Sequence, residues 1–380
     1  MLEKSRRSSN YELLRILCMT FIVMHHFVVH GGSFEMDGLS TNRIISLIIL
    51  PLGKISFNCF VALSTWFLAE SSFKASRFLK IWLEVLFYNI VFMVLTDIFR
   101  GGYVNGITWR NWLGAILPMC GNSHGYAAAY MAFYLMLPFL RIVSDAINKT
   151  QLIYLISILS VTQFGVILIG RVIQYTQPFA SEILLFVLCY YISSYLRRYP
   201  SKWQSNRLIL AGVVISLWLV TALFRIWNAV QPEAYLAKYF CSTVTASELS
   251  YVNTIAGYAL FLLFGTIEIP TSRTVNAVAS TMFGVLLAHD HNYFRPILWK
   301  RFLKTDQWYY VPTVQFVGGM IVATVLIMTA GMAIDALRQT LLEKPIMKSK
   351  PIAIATALID RCVSSDHQDG GTARNERASE

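Results

Sequence analysis

Ten apolar runs, each long enough to cross a bilayer, occupy most of this 380-residue chain and decide what it can become. They fall at 12–30, 44–70, 78–99, 124–143, 152–170, 178–196, 208–227, 251–267, 276–292 and 312–335. A spanning helix needs about 20 predominantly apolar residues. The expected fold is therefore all-α, a polytopic integral membrane bundle of about ten transmembrane helices. Composition agrees, with 56% hydrophobic and only 14% charged residues, against roughly 25% charged in a soluble domain. Disorder, collagen, a secreted disulfide scaffold and a DNA-binding domain are excluded.

The net charge of +11 would suggest nucleic acid in a soluble chain. Here Lys and Arg cluster between apolar runs and read as topology signals, so no nucleic-acid partner is expected. Most of them gather on the side of the N-terminus, which predicts N-in and C-in topology, although Arg295, Lys300, Arg301 and Lys304 run against the bias. The six cysteines have no CxxC or His spacing that suits a metal, and they read as small core residues. Basic residues before the first run resemble a signal peptide, but no small-residue cleavage site follows and Arg15 interrupts the start, so a retained helix is expected. The Trp-containing run 107–118 is too short to span and should lie at the interface. Domain organisation is read as a membrane domain over 1–340 and a polar, disordered cytoplasmic tail over 341–380, without a sustained apolar period from 351 on.

An ionisable residue within hydrocarbon is costly unless paired or facing a cavity, and so is a functional candidate. In the first run, Arg15 and His26 are eleven residues apart. At 100° per residue that places them within roughly 20° of one helix face and about 16 Å apart along the axis. His30 shares that face, His25 is turned about 100° away, and Glu12 can pair with Arg15. An Arg near the cytoplasm with a His deeper on the same stripe suits an anionic cofactor that delivers its reactive end inside. Arg binds phosphate as a fork, and His can take a proton from a hydroxyl near neutral pH. The spacing suits equally well an Arg15 that snorkels and a His26 that bonds a neighbouring carbonyl.

Three further places carry candidates. Lys74, Arg77 and Lys80 form a basic edge before the third run, which attracts either a soluble phosphate or anionic lipid. His289, Asp290 and His291 stand at the end of the ninth run, and His124, Tyr126 and Tyr130 at the start of the fourth. The first group either caps its span or has an Asp that orients an imidazole or forms half of a metal site, and the second either marks the membrane interface or lines an acceptor channel. No complete metal-ligand set is apparent, so no metal is expected.

At these residues the chain resembles acyltransferase family 3, polytopic membrane O-acyltransferases of bacterial surface polysaccharides. Arg15 and His26, with ten residues between, match the family's R-x10-H pattern, and NCFVALSTWFLA at 58–69 is similar to its second-helix segment. Arg77 to Lys80 stands at its R-x-x-R position, and STMFGVLLAHDH at 280–291 resembles its late-helix segment ending in His. The resemblance runs from about residue 8 to 340. Thr65 replaces the usual Gly and Lys80 the usual second Arg, which puts donor affinity rather than the reaction class in question.

The resemblance implies transfer of an acyl group, acetyl from acetyl-CoA, to a hydroxyl of a surface or lipid-linked glycan in a bacterial cell membrane, with membrane lipid as the surroundings. His26 would be general base or transient acyl carrier with Arg15 as its catalytic partner. Arg77, Lys80 and Lys74 would hold the donor, and Tyr126, Tyr130 and His289 would contact the acceptor near an outer mouth. The competing class is a transporter or flippase of lipid-linked sugars, which predicts duplicated halves with matching broken helices. No such internal repeat is apparent.

Overall fold

Most of the described part of each apolar run is helical. The computed structural model describes residues 9–104, 106–121, 124–165, 167–169, 180–245 and 247–364, and contains no strand among them. Helix α1 spans Ser9–Gly31, α2 Thr41–Leu68, α3 Ala75–Phe99, α4 Trp109–Ile116, α5 Gly125–Ala146 and α6 Lys149–Ser160. Then come α7 at Glu182–Arg198, α8 at Arg207–Val230 and α9 at Tyr251–Gly265. The ninth run is divided into α10, Arg273–Ala279, and α11, Met282–His289. The tenth forms α12, Thr313–Arg338, which is followed by α13, Lys350–Ser364. Among the described residues, seven helices are long and apolar enough to cross a membrane, and α9 is a shorter apolar helix.

Polar residues at the run boundaries fix the starts. Ser40 accepts from Arg43 N at 3.2 Å, Ser181 from Leu184 N at 3.2 Å, and Ser250 from Val252 N at 3.2 Å. Asn148 and Gln151 bond each other's backbone amides at the head of α6. Each supplies an acceptor for an N–H that the first helical turn leaves open. The run at 107–118 is helical as α4, with Trp109, Leu113 and Ile116 exposed.

Successive spans alternate in direction, so the bundle has an N-terminal face, where α1 begins, and a distal face. Helix α2 lies at its centre, against α1, α7, α8 and α9. The crossing with α9 is close, since a Cβ on Gly257 would stand 2.7 Å from the backbone of Asn58 and Cys59. Pro51 interrupts the hydrogen-bond ladder of α2. Neighbouring helices supply donors around it: Trp218 Nε1 donates to Ile48 O at 2.9 Å and His25 Nδ1 to Leu50 O at 2.7 Å.

The C-terminal segment departs from the sequence expectation over 341–364. After α12 the chain continues through a wide helical turn at Gln339–Glu343, a short helix at Lys344–Lys348 and α13. Glu343 binds Arg338 at 2.9 Å and Lys80 at 3.4 Å, and Asp360 accepts from Ala75 N at 2.7 Å at the start of α3. Pro345 and Pro351 punctuate this stretch, but each falls in a first turn, where a missing N–H costs little. Residues 365–380 of the expected tail lie outside the described residues.

Candidate active site

A cavity of about 1060 Å³ runs between α1, α2, α5 and α11. Its lining extends from Ser71 and Arg77 at the N-terminal face, past Arg15 and His26, to Phe34 and Asn292 in loops of the distal face. The ninth span breaks beside it, and Ala279, Ser280 and Met282, which flank the break, line the wall. Irregular backbone at membrane depth is tolerated in such a place because the freed groups face a cavity.

The stripe on α1 is realised. Arg15 and His26 both line the cavity, with Glu12 held 3.2 Å from Arg15, while His25 is 4% exposed and spent on the Leu50 carbonyl. A Cβ on Gly53 would meet the His25 ring at 2.4 Å, so that ring is packed in place.

His26 is held by a relay that fixes its tautomer. His289 Nδ1 lies 2.6 Å from Val285 O, and His26 Nδ1 lies 2.9 Å from His289 Nε2. A carbonyl can only accept, so His289 carries its proton on Nδ1 and, when neutral, presents a bare Nε2. His26 must then donate through Nδ1, which leaves the lone pair on its own Nε2. Trp299 Nε1 donates to His289 O at 3.2 Å and secures the end of α11. Neutral imidazole with a committed Nδ1–H is the form that removes a proton from a hydroxyl.

His30 and Asp290 complete the neighbourhood, with His30 Nε2 3.7 Å from Asp290 Oδ1 and Arg295 3.3 Å from the same oxygen. One ligand atom each from His26, His30 and Asp290 lies within 4.8 Å of the others, the one grouping among the described residues that could hold a metal ion. Without a metal, the same carboxylate stands ready to compensate a protonated imidazole.

The remaining sequence candidates separate. Arg77 lines the cavity beside Arg15, whereas Lys74 and Lys80 do not. Lys74 precedes α3 and its backbone bonds the Tyr134 hydroxyl, and Lys80 is turned to Glu343. Tyr126 and Tyr130 line the cavity against Phe186, at 5.5 Å between ring centroids for each, but Tyr130 lies within electrostatic reach of Arg77 and Arg15 rather than at the distal mouth. His289 is not in the wall and stands behind His26.

Four charged lining residues were not singled out from the sequence: Lys54, Glu182, Arg225 and Glu248. Lys54 and Glu248 pair at 2.7 Å. Burial pushes the Glu248 carboxyl up, but the charge and hydrogen bond of Lys54 and a backbone hydrogen bond lower it together, and the net shift is downward. Lys54 and Arg225 sit inside apolar runs, and that was the signal available.

The arrangement is thus a histidine in the middle of the bundle, with cations toward one face and a mixed polar chamber toward the other. Compared with known families, the chain matches the one described as acyltransferase domain over residues 9–332. No curated protein and no solved structure matches it.

Proposed function

The chain belongs to acyltransferase family 3, and from that premise we propose that this multi-pass membrane acyltransferase moves acetyl from acetyl-CoA to a hydroxyl of a cell-surface or lipid-linked glycan in a bacterial membrane. The observation that carries the reading is the relay from Val285 O through His289 to His26, which leaves one imidazole lone pair at the middle of a cavity lined from both faces.

In this reading the N-terminal face is cytoplasmic. The phosphates of the donor rest on Arg15 and Arg77, and its pantetheine arm reaches toward His26, about 16 Å from Arg15 by helical rise. The acceptor enters the distal chamber. His26 Nε2 takes the hydroxyl proton as the oxygen attacks the thioester carbonyl, and the tetrahedral adduct expels the CoA thiolate, which recovers the proton. His289 holds the imidazole in register, and Asp290 balances the transient imidazolium.

The test is incubation of membranes carrying the protein with labelled acetyl-CoA and a panel of surface glycans, followed by location of the label. Label on a glycan hydroxyl that depends on His26 is expected, and no protein-dependent transfer to any glycan would overturn the acceptor class. For the donor, Arg15→Ala and Arg77→Ala should each weaken CoA binding by about tenfold or more, the worth of a charge-assisted contact. Lys80→Ala should change it little, because Lys80 faces Glu343 instead of the cavity. Calorimetric titration of CoA decides. A loss for Lys80→Ala as large as for Arg77→Ala would return Lys80 to the donor site.

A further inference from the structure

Among the described residues, Arg225 is the one cation of the distal chamber without a carboxylate partner. It lies on α8, is 6% exposed and lines the cavity, yet its Nε has no hydrogen-bond partner. Among the described residues no carboxylate comes within 4.0 Å of its guanidinium. Outside the described residues, the internal positions 105, 122–123, 166, 170–179 and 246 contain no Asp or Glu, and only the terminal segments 1–8 and 365–380 do. The other cations nearby are spoken for, Lys54 by Glu248 at 2.7 Å and Arg295 by Asp290 at 3.3 Å. Glu182 lines the same chamber and still does not pair with Arg225.

A guanidinium taken out of water without a counter-ion is costly, and within a membrane protein such a group marks a ligand path. It cannot escape the cost by losing its proton, since Arg stays ionised. Its planar fork matches a carboxylate or a phosphate, which would return the missing charge and accept two parallel N–H donors. The location limits what that anion belongs to. Arg225 stands within electrostatic reach of His25, the neighbour of the base, and not beside Arg15 and Arg77, where a donor's phosphates belong.

From this we infer that Arg225 is an acceptor-binding residue and that the acceptor carries an anionic group, so that the protein selects acidic glycans over neutral ones. The inference rests on the acyl-acceptor reading of the cavity. The anion has two possible sources of the same chemistry, the carboxylate of an acidic sugar or the phosphate that links a sugar to its carrier.

The experiment is titration of the full-length protein in detergent, without donor, with methyl glucuronide, glucose 1-phosphate and methyl glucoside. At least one anionic sugar should bind about tenfold to a hundredfold tighter than the neutral one, and the one that does names the source. Arg225→Gln should erase that preference and Arg225→Lys should keep part of it, because the charge survives without the fork. The comparison of sugars on the unaltered protein stands even where a variant does not fold. Equal binding of the three sugars, including none at millimolar concentration, or a preference unchanged in Arg225→Gln, overturns the inference. Transfer from labelled acetyl-CoA is scored separately, so loss of the acyltransfer reading and loss of the anion site register as different results.

Discussion

His26→Ala should lower kcat for acyl transfer by about 10² to 10⁴, the usual contribution of a positioned general base, while the protein inserts and melts as before. Among the described residues only one hydrogen bond, to His289, is lost with the side chain, and its ring borders a cavity. The adjacent residue should give the opposite pattern. His25→Ala strips the Leu50 carbonyl of its donor at the Pro51 interruption, at a cost of about 1–3 kcal/mol. It leaves the relay intact, so the melting temperature falls and kcat per folded molecule holds. His289→Phe should fall between, because it keeps the bulk but frees the His26 tautomer. Steady-state rates with acetyl-CoA on purified protein, set beside melting curves, separate the three. Full activity in His26→Ala, or equal loss in His25→Ala at unchanged stability, would end the case for His26 as base.

The pair also shows how far the sequence could be read. Helical geometry alone puts Arg15 and His26 on one stripe and turns His25 away, since α1 is regular from end to end. Positions of the spans were legible for the same reason, as hydropathy reports length and composition. It does not report backbone continuity, so the division at Ser280 and Thr281 was invisible. Nor does it report which element a charge faces. Lys80 has the spacing of a donor ligand, and only the position of Glu343, more than 260 residues later, turns it away. His289 read as a wall residue because its partner lies on another helix. The cost of buried charge that marks the first span marks Lys54 and Arg225 within later runs equally, and those two point to the distal chamber.

The largest stability effect should come from Arg338, at the end of α12. Its guanidinium is buried among three carboxylates, 2.7 Å from Asp335, 2.9 Å from Glu343 and 3.3 Å from Glu84. Asp335 also accepts from Tyr88 at 3.2 Å and from Gln339 at 2.7 Å. A Cβ on Gly284 would stand 2.4 Å from Asp335, so α11 closes the cluster from above. The cluster joins α3, α12 and the C-terminal helical segment, and that is why residues beyond 340 stay attached to the bundle. Arg338→Met keeps volume but leaves three carboxylates with only Lys80 nearby. Removing one partner of a buried ion pair costs about 3–5 kcal/mol, more than the intact pair contributes, because uncompensated charge remains. The sign should reverse for an acid: Glu84→Gln leaves two carboxylates facing Arg338 and Lys80, so the charge is better balanced and stability should be unchanged or higher. Melting of the two variants in detergent checks both halves. Arg338→Met melting like the parent protein, or Glu84→Gln losing as much as Arg338→Met, would show that packing rather than charge balance holds this end of the bundle.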